Sequence, residues 1–207
     1  MVRPPRPEVR ELLIDRAAGM LARRETLSLR KLVAGTGLST MAVYTYFGGM
    51  PGVLGAVRQE GFSRLASGLS QLRQTSDPVA DLAATGAVYA TSARRTPELY
   101  SLMFDGSLPL PNSQAADATL EQLASAVLRC ITEQRFDSEL DALGFANELW
   151  MLGHGACMLF VTGVMDFEQV EPLVRSGLVR MYSAAGDAPE SAEVSLTEGW
   201  TRGIVAW

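Results

Sequence analysis

The chain has 207 residues, 47% of them hydrophobic, so it can bury the core of one medium-sized domain or two small ones. Two cysteines are too few for a disulfide framework, and no signal-peptide pattern opens the sequence, so we expect a cytoplasmic and not a secreted protein. Aromatic residues make up only 7%, while Ala, Leu, Arg and Glu are common, which predicts an all-α fold.

The net charge of −5 is distributed unevenly along the chain. Residues 1–47 contain eight basic and four acidic residues, a net charge of +4, so the remainder carries −9. A basic end on an acidic body is suited to a polyanion that binds at that end, because salt screens the attraction over about 10 Å. A chance excess of solvated arginines would give the same imbalance.

The N-terminal third contains the signals of three helices. Apolar residues at helical spacing predict a first helix over residues 8–24. Ser28 is a candidate N-cap of a short second helix, which Gly35 and Gly37 end. Ser39 is a candidate cap of a third helix over residues 40–46. The pattern predicts a helix, a glycine turn and a second helix.

Such a unit can read DNA, because the major groove is about 12 Å wide and admits one helix. Thr40 could hydrogen-bond to a base edge, and Met41 or Ala42 could contact a thymine methyl group. Further candidate contacts are the hydroxyls of Tyr44, Thr45 and Tyr46 and the charges of Arg30 and Lys31. An ordinary α-hairpin with surface tyrosines explains the same residues equally well.

The rest of the chain is also predicted to be helical. Helices are expected over residues 51–72, 78–92, 97–104, 115–133, 138–163, 168–184 and 193–205, with a loop over 105–114. The uncharged run from Leu149 to Met165 is shorter than the roughly 20 residues of a membrane span, so it favours a buried interface helix. Gly153 and Gly155 indicate close backbone packing there.

His154, the single histidine, shares a helix face with Trp150 and with Cys157 or Met158. A methionine-rich cavity would suit a hydrophobic small molecule, although ordinary core packing explains each residue as well. The candidate lining residues are Tyr89, Tyr100, Met103, Phe104, Trp150, His154 and Met158. A small enzyme that uses His154 and Cys157 is an alternative, but the apolar setting offers neither further metal ligands nor activation of a thiolate. We therefore expect no catalytic residue, metal or cofactor.

The segment SLRKLVAGTGLSTMAVYTYF resembles the DNA-binding domain of TetR-family transcriptional repressors, and the similarity covers about residues 8–66. The resemblance implies that Ser28, Arg30 and Lys31 lie at the operator-facing end of the second helix. It also implies that residues 40–42 begin the base-reading helix, and that residues 44–46 lie against phosphates and neighbouring bases.

The sequence departs from the family pattern directly after Phe47. Family members usually place a phosphate-binding lysine at the start of the fourth helix, where this chain has Met50. We expect Gly48, Gly49 and Gly52 to loosen this turn. Arg3 and Arg6 in a flexible N-terminal arm, residues 1–7, could compensate by entering the minor groove, although a disordered tail is the simpler interpretation.

Trp150, His154 and Gly155 resemble the Trp-His-Gly subgroup of C-terminal domains in this family. The subgroup implies a helical ligand domain closed by a four-helix dimer bundle. The predicted division is therefore an arm (1–7), a helix-turn-helix domain (8–50), a connecting helix (51–72) and a ligand-binding and dimerisation domain (73–207). The resulting hypothesis is a homodimeric repressor that a hydrophobic ligand releases from a palindromic operator, with no membrane partner. A structural dimer with a weakened helix-turn-helix is the alternative.

Overall fold

The computed structural model describes residues 6–206, and that part of the chain contains ten α-helices and no strand. The helices are α1 (Pro7–Ala22), α2 (Leu29–Val33), α3 (Thr40–Phe47), α4 (Met50–Ser70), α5 (Pro78–Arg95), α6 (Pro97–Met103), α7 (Gln114–Thr132), α8 (Ala142–Val161), α9 (Phe167–Ala184) and α10 (Pro189–Ala206). The predicted all-α class is confirmed. Arg3 and most of the predicted arm lie outside the described residues, and α1 already begins at Pro7.

Both predicted capping residues occupy N-cap positions, but only one of them makes a capping hydrogen bond. The Ser28 hydroxyl accepts the backbone N–H of Lys31 at 3.4 Å, as expected for the cap of α2. Ser39 occupies the N-cap position of α3 but makes no side-chain hydrogen bond there. The helix α8 begins at Ala142 rather than at residue 138, because the Asp141 carboxylate accepts the N–H of Leu143 at 3.1 Å and caps the helix at that point.

The chain divides into two compact units, and the boundary falls inside α4 after Ser63. The first unit contains the chain up to Ser63 and the segment Thr96–Ala115, which includes α6. The second contains Arg64–Arg95 and the chain from Ala116 onward. This division differs from the predicted one, which assigned all residues after 72 to the ligand-binding and dimerisation domain.

Two kinds of contact hold α6 and the loop after it in the first unit. The Arg58 guanidinium, on α4, donates to the carbonyl oxygens of Met103 at 2.8 Å and Leu108 at 2.7 Å. The Phe62 ring packs edge-on against Phe104, with ring centroids 5.6 Å apart. The Met103 carbonyl is one that the end of α6 leaves without a helical partner, and the Leu108 carbonyl belongs to the loop that follows. The charged hydrogen bonds also fix the course of the loop.

The turn between α3 and α4 is tight, so the expectation of a loosened turn is wrong. Gly48 has a φ of 72° and its N–H donates to the Tyr44 carbonyl at 2.9 Å, which ends α3 in a left-handed cap. Gly49 has a φ of 127°. A Cβ atom at Gly52 would overlap the Phe47 carbonyl oxygen. Each glycine permits a geometry that a side chain would obstruct.

In the second unit, α10 lies directly against α5. A Cβ atom at Gly199 would overlap the Ala80 carbonyl oxygen, and one at Gly203 would lie 2.5 Å from the Ala84 carbonyl oxygen. The two helices therefore approach to backbone contact, which maximises the close-packed area between them. The C-terminal segment thus completes the core of this unit.

A cluster of buried and half-buried charges joins the starts of α5 and α10 to the residues that follow α7. Arg135 binds both carboxylate oxygens of Asp187, at 2.8 and 2.9 Å, and donates to Asp77 at 3.0 Å. The Ser195 hydroxyl donates to the other Asp77 oxygen at 2.6 Å. Burial alone would raise the pKa of Asp77, but the hydrogen bond from Ser195 and those from backbone N–H groups outweigh it and lower the pKa.

A second set of charged hydrogen bonds centres on Asp81 of α5. Its carboxylate accepts from Arg129 of α7 and from Arg202 of α10, and also from Thr75. Burial opposes ionisation here as well, yet these donors lower the pKa of Asp81 below its usual value. Removing one partner from such a group leaves a half-buried charge without full compensation, which destabilises the fold.

We expect Gly52→Ala to destabilise the protein by about 2 kcal/mol, because α4 must shift away from the Phe47 carbonyl to admit a methyl group. Chemical denaturation followed by circular dichroism measures this change. The matched control is Gly19→Ala in α1, where a Cβ would meet only the end of the Arg23 side chain at 3.4 Å. That variant should gain up to about 1 kcal/mol. Equal stability of Gly52→Ala and wild type would contradict the tight turn.

We expect Ser195→Ala to lower the free energy of unfolding by about 2 kcal/mol at neutral pH, since a hydrogen bond to the charged Asp77 carboxylate is lost. The pKa of Asp77 is lowered in the folded protein, so its contribution is present above the unfolded pKa near 4 and lost as the pH falls below it. The difference between variant and wild type should therefore shrink below about pH 4. A pH-independent difference in denaturation free energy would contradict this account.

Candidate functional site

The helices α2 and α3 are joined by a turn that requires its two glycines. Gly35 and Gly37 both have a φ of 73°, in the left-handed region that glycine tolerates without strain. Between them, the Thr36 hydroxyl donates to the Val33 carbonyl at 2.7 Å and accepts the Leu38 N–H at 3.2 Å. These bonds replace the helical pairing that ends at Val33. The predicted helix, glycine turn and helix are therefore present.

Arg16 of α1 holds α2 in place, a role that the sequence alone does not indicate. Its guanidinium donates to the carbonyl oxygens of Leu32 at 2.9 Å, Ala34 at 2.8 Å and Lys31 at 3.3 Å. The last carbonyls of a helix have no helical partner, so a cation there satisfies them and interacts favourably with the helix dipole. An arginine 16 residues before the end of a short helix gives no local signal of this contact.

The N-terminal positive charge is less available than the sequence suggests. Arg16 is engaged with α2, Arg23 pairs with Glu25 at 2.6 Å, and Arg24 pairs with Glu98 at 2.5 Å. Arg10 lies over the Phe47 ring, 5.6 Å from its centroid. Among residues 6–206, no ion pair joins Arg30 or Lys31 to a carboxylate.

Both unpaired cations lie on α2, and both side chains are exposed. Because Ser28 caps the first turn of this five-residue helix, the two cations sit within a helix that is fixed at its start. Arg16 fixes the other end through the carbonyls described above. The charge available to a polyanion therefore includes both cations of α2, together with the exposed Arg6 and Arg10 at the start of α1.

The helix α3 turns one face to the core and another to solvent. Val43 is fully buried, whereas Met41 is 67% and Tyr44 is 52% exposed. Thr40 and Ala42 are half-buried, and Thr45 is exposed with its hydroxyl donating to the Met41 carbonyl at 3.0 Å. The predicted DNA-contact residues of α3 thus divide into exposed side chains and side chains that already serve the fold.

Tyr46 is one of the α3 side chains that already serve the fold. Its hydroxyl accepts the backbone N–H of Arg6 at 2.8 Å, across a separation of 40 residues. Arg6 is the N-cap residue of α1, and its side chain makes no capping hydrogen bond. The tyrosine therefore fixes the start of α1 against α3, which no local sequence pattern indicates. Its hydroxyl proton remains for another acceptor.

Met50 is the first residue of α4 and is half-buried. A methionine cannot form the charged bond that the family lysine makes with phosphate. The predicted departure from the family pattern at this position stays a prediction. It is set in a turn whose geometry is well defined by Gly48 and Gly52.

In the second unit, three predicted ligand residues lie together. The Trp150 and His154 rings stack with centroids 5.4 Å apart, and the Tyr89 hydroxyl lies 3.3 Å from His154 Nδ1. Burial lowers the pKa of His154 below its usual value, which favours a neutral imidazole at physiological pH. Met158, one turn further along α8, is half-buried. This cluster is apolar and aromatic and carries a few hydrogen-bonding atoms, as small-molecule sites do.

The other three predicted ligand residues belong to the first unit. Tyr100 and Met103 are buried, and the Tyr100 and Phe104 rings lie 4.9 Å apart. Met103 also lies against α4, where a Cβ atom at Gly61 would come within 2.6 Å of its Cγ. These side chains form part of the core between α4 and α6. Their assignment to a ligand site stays a prediction.

Neither metal nor thiol chemistry gains support from the geometry. Within residues 6–206, no group of three or more His, Cys, Asp or Glu side chains could hold a metal ion. The Cys157 side chain is buried, so a substrate in solvent cannot reach its thiol. Burial raises the pKa of the other cysteine, Cys130, to about 12, which keeps that thiol protonated.

Comparisons with known proteins agree with this architecture. Residues 82–181 match a family model described as "Tetracyclin repressor-like, C-terminal domain". No curated protein gave a match. In the described part of the chain, no helix combines the length and apolar character needed to cross a membrane.

Several solved structures share the fold. A protein of unknown function from Rhodococcus sp. RHA1 is 24% identical, with a TM-score of 0.73 over 90% of this chain and 100% of its own. RolR in complex with resorcinol is 16% identical, with a TM-score of 0.67 over 92% and 93%. The TetR-family regulator PfmR from Thermus thermophilus is 19% identical, with a TM-score of 0.63 over 83% and 97%.

The family match does not specify the Trp-His-Gly subgroup, which stays a prediction. Residues 82–181 therefore resemble a Tetracyclin repressor-like C-terminal domain, and the chain shares its all-α fold with the TetR-family regulator PfmR.

Proposed function

We propose that the protein is a DNA-binding regulator that acts as a homodimer. In this proposal it represses by occupying a palindromic operator, and a hydrophobic small molecule releases it. The observation that carries the proposal is the surface formed by α2 and α3. There the unpaired cations Arg30 and Lys31 adjoin a helix with exposed Met41 and Tyr44.

The proposed docking follows from the chemistry of these two helices. In helix-turn-helix proteins the second helix enters the major groove and the first crosses the backbone. Here α3 would enter the groove, and its side chains are uncharged. The cations on α2 would then bind phosphates, which position a protein on DNA without reading sequence. Ser28 supports this arrangement as the cap of α2, and its hydroxyl proton is available to a phosphate.

The homodimer is supported by apolar side chains that α8 and α9 expose. Leu143, Met151 and Leu159 are exposed on α8, and Leu173 is exposed on α9. A Cβ atom at Gly153 or Gly155 would meet no atom within 4 Å. No other helix within residues 6–206 of the single chain therefore packs closely against α8 at these two glycines. A helix from a second copy could approach α8 closely at these glycines, and it would bury the exposed apolar side chains.

The ligand site is proposed at Tyr89, Trp150 and His154 in the second unit. A neutral imidazole stacked on an indole, with a phenol hydroxyl beside it, suits an apolar or aromatic molecule with one or two polar groups. Among the similar structures, RolR was solved in complex with resorcinol, and phenols are therefore a sensible first group to test. Ligand binding releases DNA only if the ligand prefers the conformation that does not bind the operator.

We expect the full-length protein to enrich a palindromic duplex from random DNA, with half-sites about 10 base pairs apart. Arg30→Ala should weaken binding to that duplex. It should also reduce the slope of log K against log salt concentration by about 1, the value for one lost phosphate contact. Tyr44→Ala should weaken binding without changing the unfolding midpoint, because the side chain is largely exposed. Fluorescence anisotropy at several salt concentrations measures both variants.

The matched control is Arg73→Ala, which removes an exposed arginine from the second unit and should leave operator affinity and its salt slope unchanged. Failure to enrich any duplex, with a folded dimer present, would overturn the proposal. That result would favour the structural dimer whose helix-turn-helix has lost DNA affinity.

For the ligand, we expect phenols to quench the fluorescence of Trp150 and to lower operator affinity at the same concentrations. Trp150→Phe should remove the quenching, whereas the other tryptophans remain as an internal reference. A compound that binds near Trp150 and leaves operator affinity unchanged, throughout a broad screen, would argue against induction through this site.

A further inference from the structure

We infer that the operator half-site is read mainly through the C5-methyl groups of thymines, and that Met41 makes the main contact. This inference rests on the proposed function and specifies which feature of the DNA the base-reading helix recognises. It comes from the residue types on α3 and from the hydrogen bonds that its hydroxyl groups already make.

The helix α3 contains none of the side chains that read bases through strong paired hydrogen bonds. Its sequence is TMAVYTYF, without Arg, Lys, Asn, Gln, Asp or Glu. Arginine and lysine read guanine, asparagine and glutamine read adenine, and acidic residues read cytosine. The groups that remain are hydroxyls and apolar side chains, and apolar side chains recognise the methyl group of thymine.

Two of the four hydroxyls on α3 already make hydrogen bonds within the protein, although the Tyr46 hydroxyl proton can still donate to another acceptor. The Thr45 hydroxyl donates to the Met41 carbonyl at 3.0 Å, and the Tyr46 hydroxyl accepts the N–H of Arg6 at 2.8 Å. Thr40 is half-buried at the start of the helix. Tyr44 is 52% exposed but lies about one turn further along the helix than Met41. Helix-turn-helix proteins contact base edges with the N-terminal residues of this helix, so Met41, which is 67% exposed there, is the side chain most available for a base edge.

The chemistry of Met41 suits a methyl group. Methionine is unbranched, flexible and polarisable, so it can follow the shape of an apolar partner in the groove. Ala42 beside it is small and half-buried, and leaves room for the base pair to approach the helix. Arg30 and Lys31 lie on α2, which crosses the backbone in this docking geometry, so their charges bind phosphate rather than guanine.

The test uses the duplex that the full-length protein selects from random DNA. Each thymine is replaced by deoxyuridine, which removes only the C5-methyl group. At the contacted position, substitution in both half-sites should weaken wild-type binding about 16-fold. This corresponds to about fourfold per methyl group at about 0.8 kcal/mol each. Replacing guanines with 7-deazaguanine, which removes the acceptor N7, should change affinity less than about twofold.

A double-mutant cycle assigns the contact to Met41. The Met41→Ala variant should bind the unmodified duplex more weakly than wild type does. Its affinity should not fall further when the contacted thymine is replaced by deoxyuridine. The control is Leu12→Ala, another exposed apolar side chain of the first unit, which should retain full sensitivity. Tolerance of deoxyuridine at every position, or a larger loss from 7-deazaguanine, would overturn the inference and leave the proposed function standing. Failure to select any duplex would instead overturn the proposed function.

Discussion

The contact between the Arg16 guanidinium and the end of α2 is the interaction on which the N-terminal unit depends. A helix of five residues cannot be stable by itself, because nucleation costs more than so few hydrogen bonds return. Arg16 satisfies the carbonyls of Leu32 and Ala34, and Ser28 caps the opposite end. With both ends fixed, the glycine turn sets where α3 begins. Arg16 therefore positions the exposed face of α3. From the sequence alone, the same arginine would be counted among the charges that can bind DNA.

Local chemistry allows most of the helices to be predicted. Proline at first helical positions, apolar spacing and the left-handed glycines 35 and 37 are signals within a few residues, and the observed boundaries follow them closely. The predicted start of α8 is too early because the cap at Asp141 is one acidic residue among several nearby. Which of these acidic residues caps the helix depends on how the helix packs, and a single sequence does not give this information.

Contacts between distant residues could not be predicted. The segment Thr96–Ala115 belongs with the N-terminal helices because Arg58 binds two of its carbonyl oxygens, a contact across more than 40 residues. The same applies to the hydrogen bond between Tyr46 and Arg6. Residue types at the candidate DNA surface are accessible from the sequence. Which hydroxyls and charges remain free is not, since this depends on tertiary partners.

The second unit is held together in a different way. Close helix contact at Gly199 and Gly203 brings α10 against α5, and the half-buried Asp81 carboxylate binds arginines from α7 and from α10. Because each of these charges is compensated only in one arrangement of the helices, the network favours that arrangement over other compact packings. Hydrophobic contacts alone would discriminate less between neighbouring helix registers.

The absence of charge from α3 has an evolutionary consequence. Under the proposed function, the strength of attraction to any DNA depends on α2, whereas the choice among DNA sequences depends on α3. Substitutions on the exposed face of α3 can then redirect the protein to new genes while its general affinity for DNA is retained. Val43 is buried and Tyr46 fixes the start of α1, whereas Met41 and Tyr44 are exposed and can vary without disturbing the core. A duplicated copy could therefore acquire a separate set of targets through few mutations.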